Sequence, residues 1–126
     1  MLTDCNVMAF VATAKPDEAL VFYRDTLGLR LVADDWSALV FDAGGTTLRV
    51  QKVEAAKPPP YTTLGWRVKA IEAEVRGLTE HGVAFERFEG LVQDELGIWT
   101  VLPAGAKVAW FKDPDGNLLS LTQEPA

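Results

Sequence analysis

The chain has 126 residues, of which 48% are hydrophobic and 24% are charged, the composition of an ordinary soluble globular domain. A single domain of this length buries roughly two-thirds of the surface of its unfolded chain. The net charge of −6 argues against a nucleic-acid partner, because binding to phosphates needs a basic surface. No apolar run approaches the roughly 20 residues that cross a bilayer, so we expect no membrane partner. With one cysteine the chain forms no internal disulfide, and we expect it to be cytoplasmic.

The first half of the chain predicts one strand, one helix and three further strands. The helix is predicted to begin at Pro16, because proline is favoured in the first turn, and the acidic Asp17 and Glu18 suit the positive end of the helix dipole. Apolar residues recur at helical spacing up to Leu27, and Gly28 is a typical helix end. The predicted strands of this half are residues 7–12, 29–33, 36–42 and 46–53.

The second half predicts a similar order of elements. Residues 54–60 form a linker that three prolines stiffen, and residues 71–81 predict an amphipathic helix that Gly82 ends. Residues 113–116 (DPDG) predict a tight turn, because Pro114 fixes φ and a glycine permits a positive φ at the end of the turn. The predicted strands of this half are residues 61–68, 83–88, 99–102, 107–111 and 118–123.

The two halves indicate a duplication. Ser120 follows Arg49 at the same interval at which Gly116 follows Gly45, and one deletion aligns the earlier strand and helix. A repeat this long indicates two modules rather than a solenoid. We predict a single domain over residues 1–126. Its first module covers about residues 5–53, its second module about residues 61–123, and residues 54–60 form the linker between them.

Two stretches of the sequence carry a resemblance to a known family. Residues 17–29 read DEALVFYRDTLGL, and residues 108–121 read VAWFKDPDGNLLSL. The first resembles the Phe-Tyr-x-x-x-Leu-Gly helix end of the vicinal oxygen chelate superfamily, and the second its Asp-Pro-Asp-Gly-Asn turn. This superfamily includes glyoxalase I, extradiol dioxygenases and the fosfomycin and bleomycin resistance proteins. The resemblance implies the glyoxalase/bleomycin resistance fold, an α+β fold in which two βαβββ modules form curved mixed sheets around a cleft.

Enzymes of this superfamily commonly bind a divalent metal through residues on the first and last strand of each module. By the resemblance, the matching positions are Met8, Arg49, Thr63 and Ser120. None is a good ligand for a metal that prefers imidazole, carboxylate or thiolate groups, and Arg49 places a positive charge where the cation would lie. We therefore expect no metal and no other cofactor.

Alternation along the strands separates a face for packing from a face for ligands. The phase that contains Leu48, Val50, Leu119 and Leu121 is almost wholly apolar, as expected beneath packed helices. The opposite phase mixes aromatic and polar residues, which is typical of a ligand-binding concavity. The residues predicted to contact a ligand are Met8, Phe10, Arg49, Gln51, Tyr61, Thr63, Arg67, Trp99 and Ser120, and none is assigned a catalytic role. The two arginines in this set have an alternative interpretation, in which they project to solvent or pair with acidic residues.

The four tryptophans suggest a stacking site for planar ligands. Trp99, after a long predicted loop, is the candidate for a cleft wall. Trp66 and Trp110 are predicted to be structural, and Trp36, at a strand start, fits either role.

These patterns predict a small-molecule-binding protein that lacks the usual metal ligands and sequesters an antibiotic-like or anionic organic compound. The alternative is a glyoxalase- or dioxygenase-like enzyme, a lyase, isomerase or oxygenase, with a non-standard metal site or a metal-free mechanism. In one version of it, Arg49 stabilises an enolate-like intermediate. Carboxylates that converge in the cleft would favour catalysis, whereas an aromatic cleft without titratable groups would favour binding. The resemblance also implies a homodimer.

Overall fold

The computed structural model describes residues 1–126. The chain divides into two compact units, Met1–Pro58 and Pro59–Ala126, which we call module 1 and module 2. Module 1 contains β1 (Met8–Thr13), α1 (Pro16–Leu20), β2 (Arg30–Asp34), β3 (Ala38–Ala43) and β4 (Thr46–Lys52). Module 2 contains β5 (Thr62–Arg67), α2 (Ile71–Glu80), β6 (Trp99–Val101), β7 (Ala106–Lys112) and β8 (Leu118–Gln123).

Each module is a four-stranded mixed sheet with the same strand order. The order is β1-β4-β3-β2 in module 1 and β5-β8-β7-β6 in module 2. In both sheets the first strand of the module pairs parallel with the last, and the other pairs are antiparallel. The predicted α+β fold with two βαβββ modules is therefore confirmed.

The first helix changes its geometry halfway. From Val21 to Thr26 the chain forms a π-helix, in which the N–H of Leu27 donates to the carbonyl of Phe22 at 2.9 Å. Sequence spacing predicted one helix over this segment and did not predict the wider turn. The second helix is regular over Ile71–Glu80.

The packing face of module 1 is the predicted one. Leu48 and Val50 of β4 are fully buried, and Phe41 of the neighbouring β3 is buried with them. Tyr23, in the π-helical turn, is also fully buried, and its ring centroid lies 5.8 Å from that of Phe41. The helical segment therefore covers this face of the sheet.

The packing face of module 2 has the same construction. Leu119 and Leu121 are buried beside Phe111 of β7, and α2 buries Ile71 and Val75. The Lys107 ammonium of β7 reaches the Glu72 carboxylate of α2 at 2.9 Å, while apolar contacts form the core.

The predicted strand at residues 83–88 is absent. Phe85 makes a single bridge to Phe111, and the N–H of Glu86 donates to the carbonyl of Trp110 at 2.8 Å. Beyond these contacts the loop turns back on itself at Gly97, which has a φ of +89° and at which an added Cβ would lie 3.3 Å from the Cβ of Phe85. The short strand Trp99–Val101 is instead the second strand of module 2, the first one after the helix.

The turn between β7 and β8 is held by its first residue. Asp113 is 6% exposed, and its Oδ1 accepts hydrogen bonds from the N–H groups of Asp115 and Asn117 at 3.0 and 2.9 Å. Its Oδ2 accepts from the Asn117 Nδ2 at 2.8 Å. These bonds fix the register in which Trp110 faces Ser120 and Phe111 faces Leu119.

Candidate functional site

The open face of module 2, opposite its packing face, centres on Ser120. Because side chains of directly paired residues share a face, Gly65 of β5 and Trp110 of β7 lie on either side of it. A Cβ at Gly65 would come within 2.7 Å of the Ser120 Oγ, so the missing side chain at Gly65 makes room for this hydroxyl.

Trp110 extends across this face. Its Nε1 donates to the Oγ1 of Thr62 on β5 at 3.2 Å, although β8 lies between β7 and β5. The indole must therefore pass over β8. This explains why Leu118 and Ser120 are only 8% and 7% exposed on a face predicted to be open.

Three aromatic rings meet at this position. The rings of Trp99 and Trp110 are stacked, with centroids 6.0 Å apart and planes at 26°. Phe88 meets Trp110 edge to face, with centroids 5.3 Å apart. We call Phe88, Trp99 and Trp110 the aromatic cluster; Phe88 is 36% exposed and Trp99 is partly buried.

A cavity of about 550 Å³ adjoins Trp99. Its lining is mostly apolar and includes three polar residues, Gln93, Asp94 and Thr100. The lining residues are Val92, Gln93, Asp94, Ile98, Trp99, Thr100 and Leu102.

The loop that forms this cavity is braced by two of its own polar side chains. The Oε1 of Gln93 accepts from the N–H of Phe88 at 2.8 Å, and its Nε2 donates to the carbonyls of Glu86 and Gly97, both at 2.9 Å. The Oδ1 of Asp94 accepts from backbone N–H groups at residues 96 and 98. These polar side chains hold the shape of the cavity, since their hydrogen bonds fix the backbone around it.

The open face of module 1 centres on Arg49 of β4. Its neighbours on this face are Phe10 of β1 and Val40 of β3. Phe10 and Met8 are 54% and 47% exposed, and Gln51 is exposed further along β4. The four predicted site residues of this module therefore share one face.

Arg49 is linked to the turn between β2 and β3. Its Nη2 donates to the Oγ of Ser37 at 3.3 Å, and this hydroxyl donates to the Oδ1 of Asp35 at 2.7 Å. The same Oδ1 accepts the backbone N–H groups of Ser37 and Ala38 at 2.8 and 3.0 Å. The pKa of Asp35 is lowered, chiefly by the hydrogen bond from the Ser37 hydroxyl, then by the two N–H groups and least by the charge of Arg49.

The remaining predicted residues of module 2 differ in their surroundings. Thr63 donates its hydroxyl to the carbonyl of Leu118 at 3.2 Å, next to a register shift between Thr62 and Leu64. Arg67 pairs with Glu124 at 3.1 Å and is exposed, as in the alternative interpretation in which it projects to solvent and pairs with an acidic residue. Tyr61 is 66% exposed and precedes β5.

Three residues of the open face in module 2 were not predicted to belong to it: Trp110, Thr62 and Phe88. Trp110 was expected to be structural, in the middle of a buried strand, yet it shares the face of Ser120. The hairpin turn contains this signal, because a tight turn at residues 113–117 sets Trp110 opposite Ser120. Thr62 lies on the open face because the pairing of β5 with β8 shifts register between Thr62 and Leu64, and no sequence pattern predicts this shift.

No group of three or more His, Cys, Asp and Glu side chains in the structure is arranged to hold a metal ion. Neither the length nor the hydrophobicity of any helix in the structure is that of a membrane-spanning segment.

The chain belongs to the Glyoxalase/Bleomycin resistance protein/Dioxygenase superfamily, whose family model matches residues 6–121. This confirms the family that the two sequence motifs indicated. Comparison with curated proteins gives no match.

Solved structures of this superfamily share the fold. A member from Sphaerobacter thermophilus is 24% identical, with a TM-score of 0.75 over 98% of this chain and 100% of that one. A fosfomycin resistance protein from Listeria monocytogenes is 11% identical, with a TM-score of 0.72 over 93% and 90% of the two chains. Lactoylglutathione lyase from Agrobacterium tumefaciens is 17% identical, with a TM-score of 0.63 over 94% and 93%. At these identities the likeness establishes the fold and leaves the activity open.

Proposed function

We propose that this protein binds a planar, antibiotic-like organic compound and sequesters it without chemical change. The observation that carries the proposal is the cavity of about 550 Å³ beside Trp99, whose indole is stacked on Trp110. Ligand pockets typically have about 300–1,000 Å³ and a mainly apolar lining with few polar groups. Aromatic rings stack on one another with a gain of about 0.5–1.5 kcal/mol beyond the burial of their area.

The chemistry of the cavity favours binding over catalysis. Asp94 is the one ionisable side chain in its lining, and its Oδ1 is bonded to the backbone of its own loop. Acid–base catalysis needs a group positioned on the reacting atoms. A braced carboxylate on an apolar wall is better suited to shaping a pocket.

The donor set at the metal positions of the superfamily also favours this proposal. By the resemblance these positions are Met8, Arg49, Thr63 and Ser120, which offer a thioether, a guanidinium and two hydroxyls. A guanidinium has five N–H donors and no acceptor, so it does not fit as a ligand of a cation.

Two relatives illustrate the range of the fold. One is a fosfomycin resistance protein and another is a lactoylglutathione lyase, so resistance to a drug and catalysis both occur on it. We propose that this chain acts by binding rather than by catalysis, as a cytoplasmic homodimer, the state that the resemblance implies.

The test is the affinity for a neutral planar probe, 1-naphthaleneacetamide, measured by titration calorimetry. Trp99→Ala is expected to weaken binding about fivefold to tenfold, the equivalent of about 1–1.4 kcal/mol of lost stacking. Trp99→Phe should keep most of the affinity, because it keeps a ring. Trp36→Ala is the matched control, since Trp36 is 91% exposed and lies in module 1. Equal affinity in wild type and Trp99→Ala, or no binding of the probe to wild type, would contradict the proposal.

A second titration separates binding from the enzyme alternative. Protein stripped of metal is titrated with Fe²⁺, Mn²⁺, Ni²⁺ and Zn²⁺, and we expect no tight stoichiometric binding. If one ion bound tightly at each site, its ligands would differ from the four positions above, and the lyase, isomerase or oxygenase alternative would take precedence.

A further inference from the structure

Arg49 stands out in the charge pattern of the molecule. The chain carries 18 acidic and 12 basic residues, so carboxylates are in excess. Six cations have a carboxylate within 4 Å: Arg24, Arg30, Lys52, Arg67, Lys107 and Lys112. Arg49 has none, although it lies partly buried on a central strand. Burial of a cation is unfavourable unless its charge is compensated, and Arg49 has only the electrostatic interaction with Asp35 and no direct ion pair.

The side chains that flank Arg49 on the two neighbouring strands are apolar. Phe10 and Val40 lie beside it on the two neighbouring strands, and Met8 lies two residues from Phe10 on the same face. Phe10 and Met8 expose about half of their surface to solvent. A cation next to exposed apolar side chains matches a molecule that has an anionic end and an apolar body.

The orientation of the guanidinium is fixed by a single hydroxyl. The Ser37 Oγ accepts one of its N–H groups at 3.3 Å, which leaves the other donors of the fork available. Asp35 interacts electrostatically with Arg49, but its Oδ1 is bonded to Ser37 and Ala38, and it forms no ion pair with Arg49. Ser37 therefore positions the guanidinium without neutralising it.

We propose that the open face of module 1 is a binding site for an organic anion, with a carboxylate or similar oxyanion on Arg49 and its apolar body on Phe10, Val40 and Met8. Planar forks of Arg and carboxylate form two parallel hydrogen bonds. The inference is independent of the aromatic cavity in module 2, because it uses other residues and another chemistry.

The probe pair is octanoate and octanamide, which differ in charge and share a saturated chain. A saturated chain has no ring to stack on Trp99, and Arg49 does not line the cavity of module 2, so a loss of octanoate affinity in an Arg49 variant reports on the open face of module 1 alone. Arg49→Gln is expected to weaken octanoate binding about tenfold or more, the range for a hydrogen bond to a charged group, and to leave octanamide binding unchanged. Phe10→Ala should weaken both probes.

Arg30→Gln is the matched control. Arg30 lies on the same sheet, and its substitution removes the same charge. Because Arg30 is paired with Asp42 at 3.1 Å, we expect Arg30→Gln to change the octanoate affinity less than twofold. Arg49→Lys keeps the charge and loses the planar guanidinium, so it should retain part of the octanoate affinity. It replaces Arg49→Gln in the experiment if that variant does not fold. The inference is overturned if octanoate fails to bind wild type, binds Arg49→Gln equally well, or is weakened equally by Arg30→Gln.

Discussion

The two modules differ most at one matched row of residues. In module 1 this row is Phe10, Arg49 and Val40, and in module 2 it is Gly65, Ser120 and Trp110. The middle residue is a long cation in one module and a small hydroxyl in the other. The bulky aromatic residue stands on the first strand of module 1, whereas in module 2 it stands on the third strand.

The opposite faces of the two sheets have not diverged in this way. Phe41 pairs with Leu48 in module 1, and Phe111 pairs with Leu119 in module 2; all four are buried. Shared packing faces keep the two backbones alike, because a core position is restricted by the volume around it. The open faces carry no such restriction, so one came to present a charge and the other an aromatic cluster.

The largest expected effect tests whether the two packing faces are equivalent. Phe41→Ala and Phe111→Ala should each lower the free energy of unfolding by about 3–5 kcal/mol, because each leaves a cavity in a core. Denaturant unfolding followed by circular dichroism measures both. A loss below about 1 kcal/mol in one variant alone would break the comparison.

The next effect contrasts the two hairpin turns. Asp113→Ala should cost about 2–3 kcal/mol in the free energy of unfolding, because it leaves buried donors of the turn without their charged acceptor. The matched variant is Asp42→Ala, whose carboxylate accepts the N–H of Gly45 at 2.8 Å in a more open turn. We expect a smaller loss for Asp42→Ala in the same denaturant experiment; equal losses would show that the burial of Asp113 has no special weight.

A smaller effect tests the close approach at the open face of module 2. Gly65→Ala should cost about 1–2 kcal/mol of unfolding free energy, because the added methyl group would meet the Ser120 Oγ. Ser120→Ala in the same chain should recover part of the loss, which a double-mutant cycle measures. Additive effects of the two substitutions would contradict the predicted contact.

The smallest effect concerns the ion pair that joins α2 to β7. The hydrogen bond from the Lys107 ammonium is the main cause that lowers the pKa of Glu72 below its ordinary 4.5. A lowered pKa in the folded protein stabilises it above the ordinary value, and this contribution is lost as the pH falls through the folded pKa. Glu72→Gln should therefore reduce the melting temperature slightly at pH 7, and the difference from wild type should disappear in acid. Glu74→Gln, on the same helix, is the control; a difference that persists in acid would have another origin.

The sequence predicts the order of elements in module 1 and the packing faces of both modules well, because alternation of apolar residues and strong turn chemistry are local signals. It misses features that depend on tertiary contacts. The π-helical turn that buries Tyr23 has the apolar spacing of an ordinary helix, and the segment around Phe85 has the composition of a strand but makes only one bridge.

The predicted site residues show the same division. Alternation placed Phe10 and Arg49 on one face of β1 and β4 correctly. It did not reveal the hydrogen bond from Trp110 to Thr62, because that contact requires both the hairpin register and a shift in β5. The role of these residues in binding remains a prediction that the titrations above test.

The buried carboxylate of the β7–β8 turn limits how this protein can change during evolution. Adding or removing one residue between Asp113 and Asn117 would shift β8 by one position against β7 and turn its side chains to the opposite face. Leu119 would then face solvent, and a residue that now packs in the core of module 2 would lie beside Trp110 on the open face. Changes in length should therefore be excluded from this hairpin and tolerated in the loop at residues 86–98, where new specificity for a ligand can arise without loss of the fold.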